Sequence, residues 1–192
     1  MSLTRKSIFL SKVLRHNPEI IGTTLDEHGW ADVQDILKGL GITKTLLDVI
    51  VETDEKHRYS YNEDETKIRA NQGHSVNVNV ELEIKTPPAD LYHGTSTRNY
   101  DKIWNSGFIK RMSRQYIHLS ADIATAIKVG RRHGEPAVIR LDTERMSNDG
   151  IVFYQSSNGV WLVKDDIPMD KYFVSEMEGA VLDVYDTDRR KK

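Results

Sequence analysis

The chain has 192 residues, with 27 Lys and Arg against 29 Asp and Glu and a formal charge of −2. At 38% hydrophobic and 29% charged residues it reads as a soluble globular protein with a real core, which excludes a disordered chain. The near-neutral balance excludes a global pull toward nucleic acid, so any polyanion site must be a local basic patch.

There is no cysteine, hence no disulfide and no thiolate metal site, which suits a reducing cytoplasm. No apolar run approaches the ~18 residues of a membrane span, and the first residues lack a signal-peptide core. A cytoplasmic protein without membrane contact is the expectation, as a monomer, because no heptad seam is present.

Leu10, Val13 and Leu14 stand at helical spacing, predicting a helix over about Thr4–Arg15 that Asn17-Pro18 stops. Trp30, Val33, Ile36, Leu37 and Leu40 form a second helical stripe closed by Gly39 and Gly41, and Leu46, Val49 and Ile50 a third. Residues 58–61 and 67–70 read as a hairpin around a polar turn at 62–65. Three short helices and a hairpin suggest a winged-helix-like lobe. Lys85-Thr86-Pro87-Pro88 is a stiff extended linker and the expected domain boundary.

Beyond it the texture turns strand-rich. Strands are predicted at 90–95, 116–120, 137–141, 151–154 and 160–163, with one more at Lys171–Val174. Helices are predicted over about Arg98–Asn105, with Tyr100, Ile103 and Trp104 as its apolar face and Gly107 as its stop, and over about Ile123–Arg131, capped by Ser120 or Asp122. The whole is an α+β chain whose second half is a mixed, largely antiparallel sheet. The expected division is 1–86, 87–178 and a flexible tail at 179–192.

Four short stretches can carry chemistry: Arg15-His16, Ile68–Ser75 (IRANQGHS), His93-Gly-Thr-Ser96 and Val129–Gly134 (VGRRHG). The last three set cationic or hydrogen-bonding groups beside glycine, where backbone N–H groups can approach a ligand. An arginine fork matches phosphate oxygens, so arginines gathered from distant segments suggest a phosphate site. Singly, each has an ordinary explanation. Arg15-His16 and Arg131-Arg132-His133 would complement a helix dipole, and Arg69 could be a solvated strand residue. His93 in His-Gly-Thr and His118 in His-Leu-Ser, each two residues before a hydroxyl-bearing one, suit a cleft for a hydroxyl-rich ligand such as ribose. Neither a Rossmann fingerprint nor a P-loop is present, and the histidines lack metal-ligand spacing.

From about Leu10 to Phe173 the chain resembles the NAD-dependent RNA 2′-phosphotransferases. The stretches SKVLRHNPE, LDEHGWADV, IRANQGHS, LYHGTS, YIHLSAD, VGRRHGEP and NGVWLV carry the likeness. The resemblance implies an N-terminal winged-helix RNA-binding lobe and a C-terminal NAD-binding lobe of the ADP-ribosyltransferase type. It implies a catalytic set of Arg15, His16, Arg69 and Arg132, a dinucleotide cleft at His93, Gly94, Thr95, His118 and Ser120, and no metal.

The implied reaction removes an internal RNA 2′-phosphate, of the tRNA splice-junction kind, in two steps. The phosphate displaces nicotinamide from NAD, giving a 2′-phospho-ADP-ribosyl RNA. The ribose 2″-hydroxyl then attacks that phosphate, releasing 2′-hydroxyl RNA and ADP-ribose 1″,2″-cyclic phosphate. The first step demands positioning. The second concentrates charge on phosphorus, which fixed arginines at 15, 69 and 132 would neutralise. His16 titrates in the range for proton transfer to the departing 2′-oxygen, although a phosphate hydrogen bond from it would serve nearly as well.

Val160 stands where many ADP-ribosyltransferases carry a glutamate, and a carboxylate there would repel an incoming phosphate. Lys12, His74 and Ser75 are candidates for flanking RNA phosphates, Lys12 being equally a snorkelling surface lysine. Two other readings stay open: an ADP-ribosyltransferase acting on a phosphorylated nucleic-acid end without the second step, and a non-catalytic winged-helix nucleic-acid binder.

Overall fold

A computed structural model describes residues 2–174, so the segment expected as a tail lies outside the described residues. The protein is α+β, built from small antiparallel sheets and short helices. It divides into two compact units. The first holds the chain through Glu83 together with Met112–Tyr116 and Tyr154–Gly159; the second holds Ile84–Arg111, Ile117–Phe153 and the chain from Val160.

In the first unit, helix α1 (Leu3–Arg15) starts on Ser2, whose Oγ accepts from the Arg5 N–H, and ends on the cations Lys12 and Arg15. Its Leu10, Val13 and Leu14 are fully buried. Pro18 opens a single 3₁₀ turn to Ile21, closed by Gly22 at φ 73°.

Strand β1 (Trp30–Asp32) leads directly into α2 (Val33–Leu40), with Asp32 as cap, accepting from the Gln34 and Asp35 N–H groups. Trp30 is therefore a strand residue, not part of the helical stripe. Gly39 does not stop α2 either. It lies inside the helix, where a Cβ would stand 2.5 Å from Ile21 Cβ, and Gly41 at φ 60° is the stop. In α3 (Lys44–Glu52) the buried residues are Leu47 and Ile50, while Val49 is 36% exposed. The expected stripe at 46, 49 and 50 was thus one position out of phase.

The predicted hairpin forms as β2 (Tyr59–Tyr61) and β3 (Lys67–Ala70). With β1 these make a three-stranded antiparallel sheet in the order β1-β3-β2. Ile68 on the central strand is fully buried and packs with the α1 stripe, Ile36 and Leu47.

The chain passes into the second unit within β4 (Glu83–Ile84). There β5 (Asp90–Ser96) pairs antiparallel with β8 (Pro136–Asp142) along its whole length, from Asp90 opposite Asp142 to Ser96 opposite Pro136. Between them come α4 (Thr97–Ser106), β6 (Phe108–Ile109), β7 (Ile117–Leu119) and α5 (Ile123–Gly130), which is capped by Asp122 and not by Ser120.

Helix α6 (Thr143–Asn148) follows β8, and the sequence reading missed it. Its signal was present: Asp142 accepts from the Arg145 N–H, and Met146 is fully buried. β9 (Phe153–Gln155) and β10 (Trp161–Val163) come next, β10 lying antiparallel to β7 with Trp161 opposite Leu119. β11 (Ile167–Pro168) pairs with β6. The last element among the described residues is helix α7 (Met169–Tyr172), not the expected strand. Met169 and Tyr172, three apart, both bury, and only Phe173 makes a single bridge, to Leu141.

Trp104, expected on the buried face of α4, is 54% exposed. It stacks on Tyr100 and meets the Phe173 ring edge-on at 5.5 Å. Among the described residues no helix is long and apolar enough to cross a membrane.

Candidate active site

The first unit gathers its cations at the end of α1 and the middle of the sheet. Arg69 sits on β3, opposite Trp30 on one side and Ser60 on the other. Its guanidinium lies 4.4 Å from the centroid of the Trp30 ring, a cation–π contact that flattens the fork against an aromatic wall. Nη1 donates to the His28 carbonyl at 3.3 Å and to Glu81 Oε2 at 3.2 Å. Glu81 itself takes φ 56°, unusual for a residue with a side chain, and its N–H rests on Asn79 Oδ1.

Arg15 is the last residue of α1, and its Nη1 donates to Ser11 Oγ at 3.1 Å. Among the described residues its Nε and Nη2 are buried without a partner, as is Nε of Arg69. Burial, with the like charges of Arg58 and Arg114, lowers the Arg15 pKa to about 10. Buried N–H groups left unpaired cost stability, about 1–3 kcal/mol each and more when charged. An anion supplied by a ligand would remove that cost.

His16 follows at once, its Nδ1 3.0 Å from Ser75 Oγ. Burial, then Arg15, Arg114 and Lys12, hold its pKa below the ordinary histidine value. His74 is 2% exposed, its ring hydrogen-bonds the Leu14 carbonyl, and its Nε2 has no partner among the described residues. Burial first, then Arg15, His16 and Arg69, push it down to about 4, so it is neutral at physiological pH. The Ser75 N–H donates to the Arg15 carbonyl at 3.0 Å, and Lys12 is exposed one turn before His16.

Of the residues singled out in the sequence, the first unit thus brings together Arg15, His16, Arg69, His74 and Ser75, with Lys12 alongside. Arg132 belongs to the second unit, exposed in a single 3₁₀ turn (Arg131–His133) between α5 and β8.

The dinucleotide candidates all lie in the second unit. His93 Nδ1 is 3.2 Å from the His118 carbonyl, and Ser120 exchanges backbone hydrogen bonds with Tyr92, so β5 and the end of β7 hold these side chains together. Gly94 makes a different close approach from the one expected. A Cβ on it would stand 2.0 Å from the Ala126 carbonyl oxygen, and one on Gly130 would stand 2.2 Å from the carbonyl oxygen of Thr95. The two glycines let α5 lie directly on β5, and Thr95 is buried. On the Cβ side, Gly94 therefore faces the helix.

Three residues of the site escaped sequence reading. Arg114 adds like charge at both Arg15 and His16, yet it comes from Met112–Tyr116, a segment flanked in sequence by second-unit residues. The backbone N–H of its neighbour Gln115 donates to the His74 carbonyl, and the Gln115 side chain to the Val78 carbonyl. Trp30 was hidden by its apolar spacing, and Glu81 by lying in an irregular polar stretch. Among the described residues no group of three or more His, Cys, Asp or Glu is placed to hold a metal.

Arginines with buried N–H groups that lack a partner among the described residues, beside a titratable histidine, have the chemistry to bind an anion such as phosphate. The model of the family described as "RNA 2′-phosphotransferase, Tpt1 / KptA family" matches residues 2–165, and the chain belongs to that family of RNA 2′-phosphotransferase enzymes. The "Probable RNA 2′-phosphotransferase" of Escherichia coli O6:K15:H31 (strain 536 / UPEC) is 49% identical over 166 residues, covering 83% of this chain and 90% of that protein. A protein with the same description from Shigella boydii serotype 18 (strain CDC 3083-94 / BS512) is 49% identical over the same shares.

Proposed function

We propose that this enzyme removes an internal 2′-phosphate from RNA by transferring it to NAD, leaving a 2′-hydroxyl RNA, nicotinamide and ADP-ribose 1″,2″-cyclic phosphate. Family membership supports the phosphotransfer. The observation that carries the residue assignment is the set of buried, unpaired N–H groups on Arg15 and Arg69, next to His16. In this reading the first unit acts as a winged-helix-like RNA lobe and the second as an ADP-ribosyltransferase-like lobe in a cytoplasmic monomer.

Arg15, through Nε and Nη2, and Arg69, through Nε, bind the 2′-phosphate oxygens with groups that have no partner among the described residues. The family resemblance adds Arg132, which the second unit carries, to the catalytic set. Burial and cationic neighbours lower the His16 pKa and so favour its neutral form before RNA arrives. A bound phosphate dianion raises its proton affinity and readies it to protonate the departing 2′-oxygen. Lys12 takes a flanking phosphate.

NAD is the second substrate, supplying a ribose carbon with a cationic leaving group. The donor set His93, His118 and Ser120, imidazoles and a hydroxyl, fits its ribose and phosphate oxygens. Gly94 and Thr95 serve that set by seating β5 against α5.

The test is a short RNA carrying one internal 2′-phosphate, incubated with the protein with and without NAD while nicotinamide and RNA products are followed. NAD-dependent conversion to 2′-hydroxyl RNA is expected. RNA that stops at an ADP-ribosylated product would favour the transferase without a second step, and RNA that is bound but unchanged would favour a binding protein.

A further inference from the structure

Four residues after β3, the chain is fastened to the end of α1 at several points. The Ser75 N–H donates to the Arg15 carbonyl at 3.0 Å, the His74 ring bonds the Leu14 carbonyl, and Ser75 Oγ stands 3.0 Å from His16 Nδ1. From behind, the Gln115 N–H donates to the His74 carbonyl. The last carbonyls of a helix have no partner within it, and here two are taken by consecutive residues of one loop. The same loop then reaches the imidazole that the helix end carries.

We propose that Ser75 is a positioning residue for His16, holding the ring through Nδ1 so that Nε2 is the nitrogen presented to the RNA phosphate, with the buried His74 anchoring the loop that carries it. The inference rests on the proposed role of His16 in phosphate transfer. It replaces direct phosphate contact as the task of His74 and Ser75.

The choice of residue follows from the site's charge. A histidine that changes protonation state needs a partner that stays bonded in both states. A serine hydroxyl donates to a bare Nδ1 and accepts from a protonated one, simply by rotating. A carboxylate in its place would hold the ring protonated and would repel the phosphate. A lysine or arginine could not accept from Nδ1–H. The charged groups around His16 are all cationic: Arg15 and Lys12 on its own helix and Arg114 from the 112–116 segment. His74, the remaining titratable neighbour, is neutral. Ser75 is thus an uncharged partner that fixes the ring without adding to that field.

The experiment uses the full chain, ¹⁵N-labelled, and variants Ser75→Ala and Ser75→Thr. Imidazole ¹⁵N signals are read without RNA or NAD, and single-turnover phosphate removal is measured across pH. In the unsubstituted protein, the His16 Nδ1 signal is expected at the position of a hydrogen-bonded ring nitrogen. Ser75→Ala should shift that signal and slow the chemical step on the order of 10- to 100-fold, with KM for RNA unchanged and the pH profile displaced. Ser75→Thr, which keeps the hydroxyl, should restore both.

Unmoved His16 signals in Ser75→Ala would overturn the proposal. So would a raised KM with an intact chemical step, which marks a phosphate contact. If the unsubstituted protein left 2′-phosphorylated RNA untouched, the phosphotransfer reading would fall, while the ring signals would still decide whether Ser75 positions His16.

Discussion

One arginine site in each unit treats its N–H groups in the opposite way to the other. In the second unit the groups are closed off. Arg140 on β8 holds Asp90 on β5 with Nε and Nη2 at 2.9 and 2.7 Å, and two glycines let helix backbone sit on strand backbone. In the first unit, N–H groups of Arg15 and Arg69 are buried and left unpaired beside a neutral, buried histidine. Backbone approach serves packing in one unit, and side-chain burial without partners serves a ligand in the other. Stability and function should therefore respond to substitution in opposite senses in the two units.

The largest expected effect is on Arg15. Arg15→Met should slow phosphate removal roughly 100- to 1,000-fold, about 2.7–4 kcal/mol of transition-state stabilisation. It should leave urea stability unchanged or raised, because it removes buried N–H groups that lack partners. A loss of several kcal/mol in stability instead would mean that the guanidinium is paid for within the fold, and the contrast between the units would break.

Next comes Gly94→Ala, whose Cβ would meet the Ala126 carbonyl at 2.0 Å. Backbone cannot yield as a side-chain tip does, so a loss of about 3 kcal/mol or more is expected in denaturant unfolding. An unchanged midpoint would show that α5 can lift from β5 at little cost.

The third effect depends on pH. His74 is depressed from 6.5 to about 4 by burial and neighbouring cations. Between these values the unfolded chain binds more protons than the folded one. The stability contribution is thus full above pH 6.5 and lost as pH falls toward 4, up to about 3 kcal/mol. His74→Gln removes this titration, so its stability deficit against the unsubstituted protein should shrink on acidification. A deficit constant from pH 7 to 4 would contradict the burial argument.

The smallest effect belongs to Arg140→Ala. The pair it breaks is partly exposed, at 30% and 26%, so a cost below about 1 kcal/mol and no change in phosphate removal are expected. A larger cost would make that pair a structural lock of β5 on β8.

Much of the secondary structure was legible because it rests on local rules. The α1 stripe, the 58–70 hairpin and the glycine stops at 41 and 107 each follow from neighbours a few residues apart. Misreadings fell where tertiary packing chose between equal patterns. Trp30 continues a helical spacing but pairs as a strand with Arg69, and Lys171–Val174 has strand-like residues but buries Met169 and Tyr172 at helical spacing. Arg114 had no local mark, since its field at Arg15 and His16 arises only once Met112–Tyr116 joins a unit otherwise distant in sequence.

The sequence by itself determined which residue types were available: arginines and histidines in short motifs, no cysteine, and the turns and caps between them. Tertiary structure alone decided their states. It left Arg15 and Arg69 with unpaired N–H groups, made His74 neutral and gave His16 a serine partner 59 positions away. The physical reason is that residue identity fixes what a group can donate, accept or ionise. Burial and neighbouring charge, which depend on distant segments meeting, fix which of those it does.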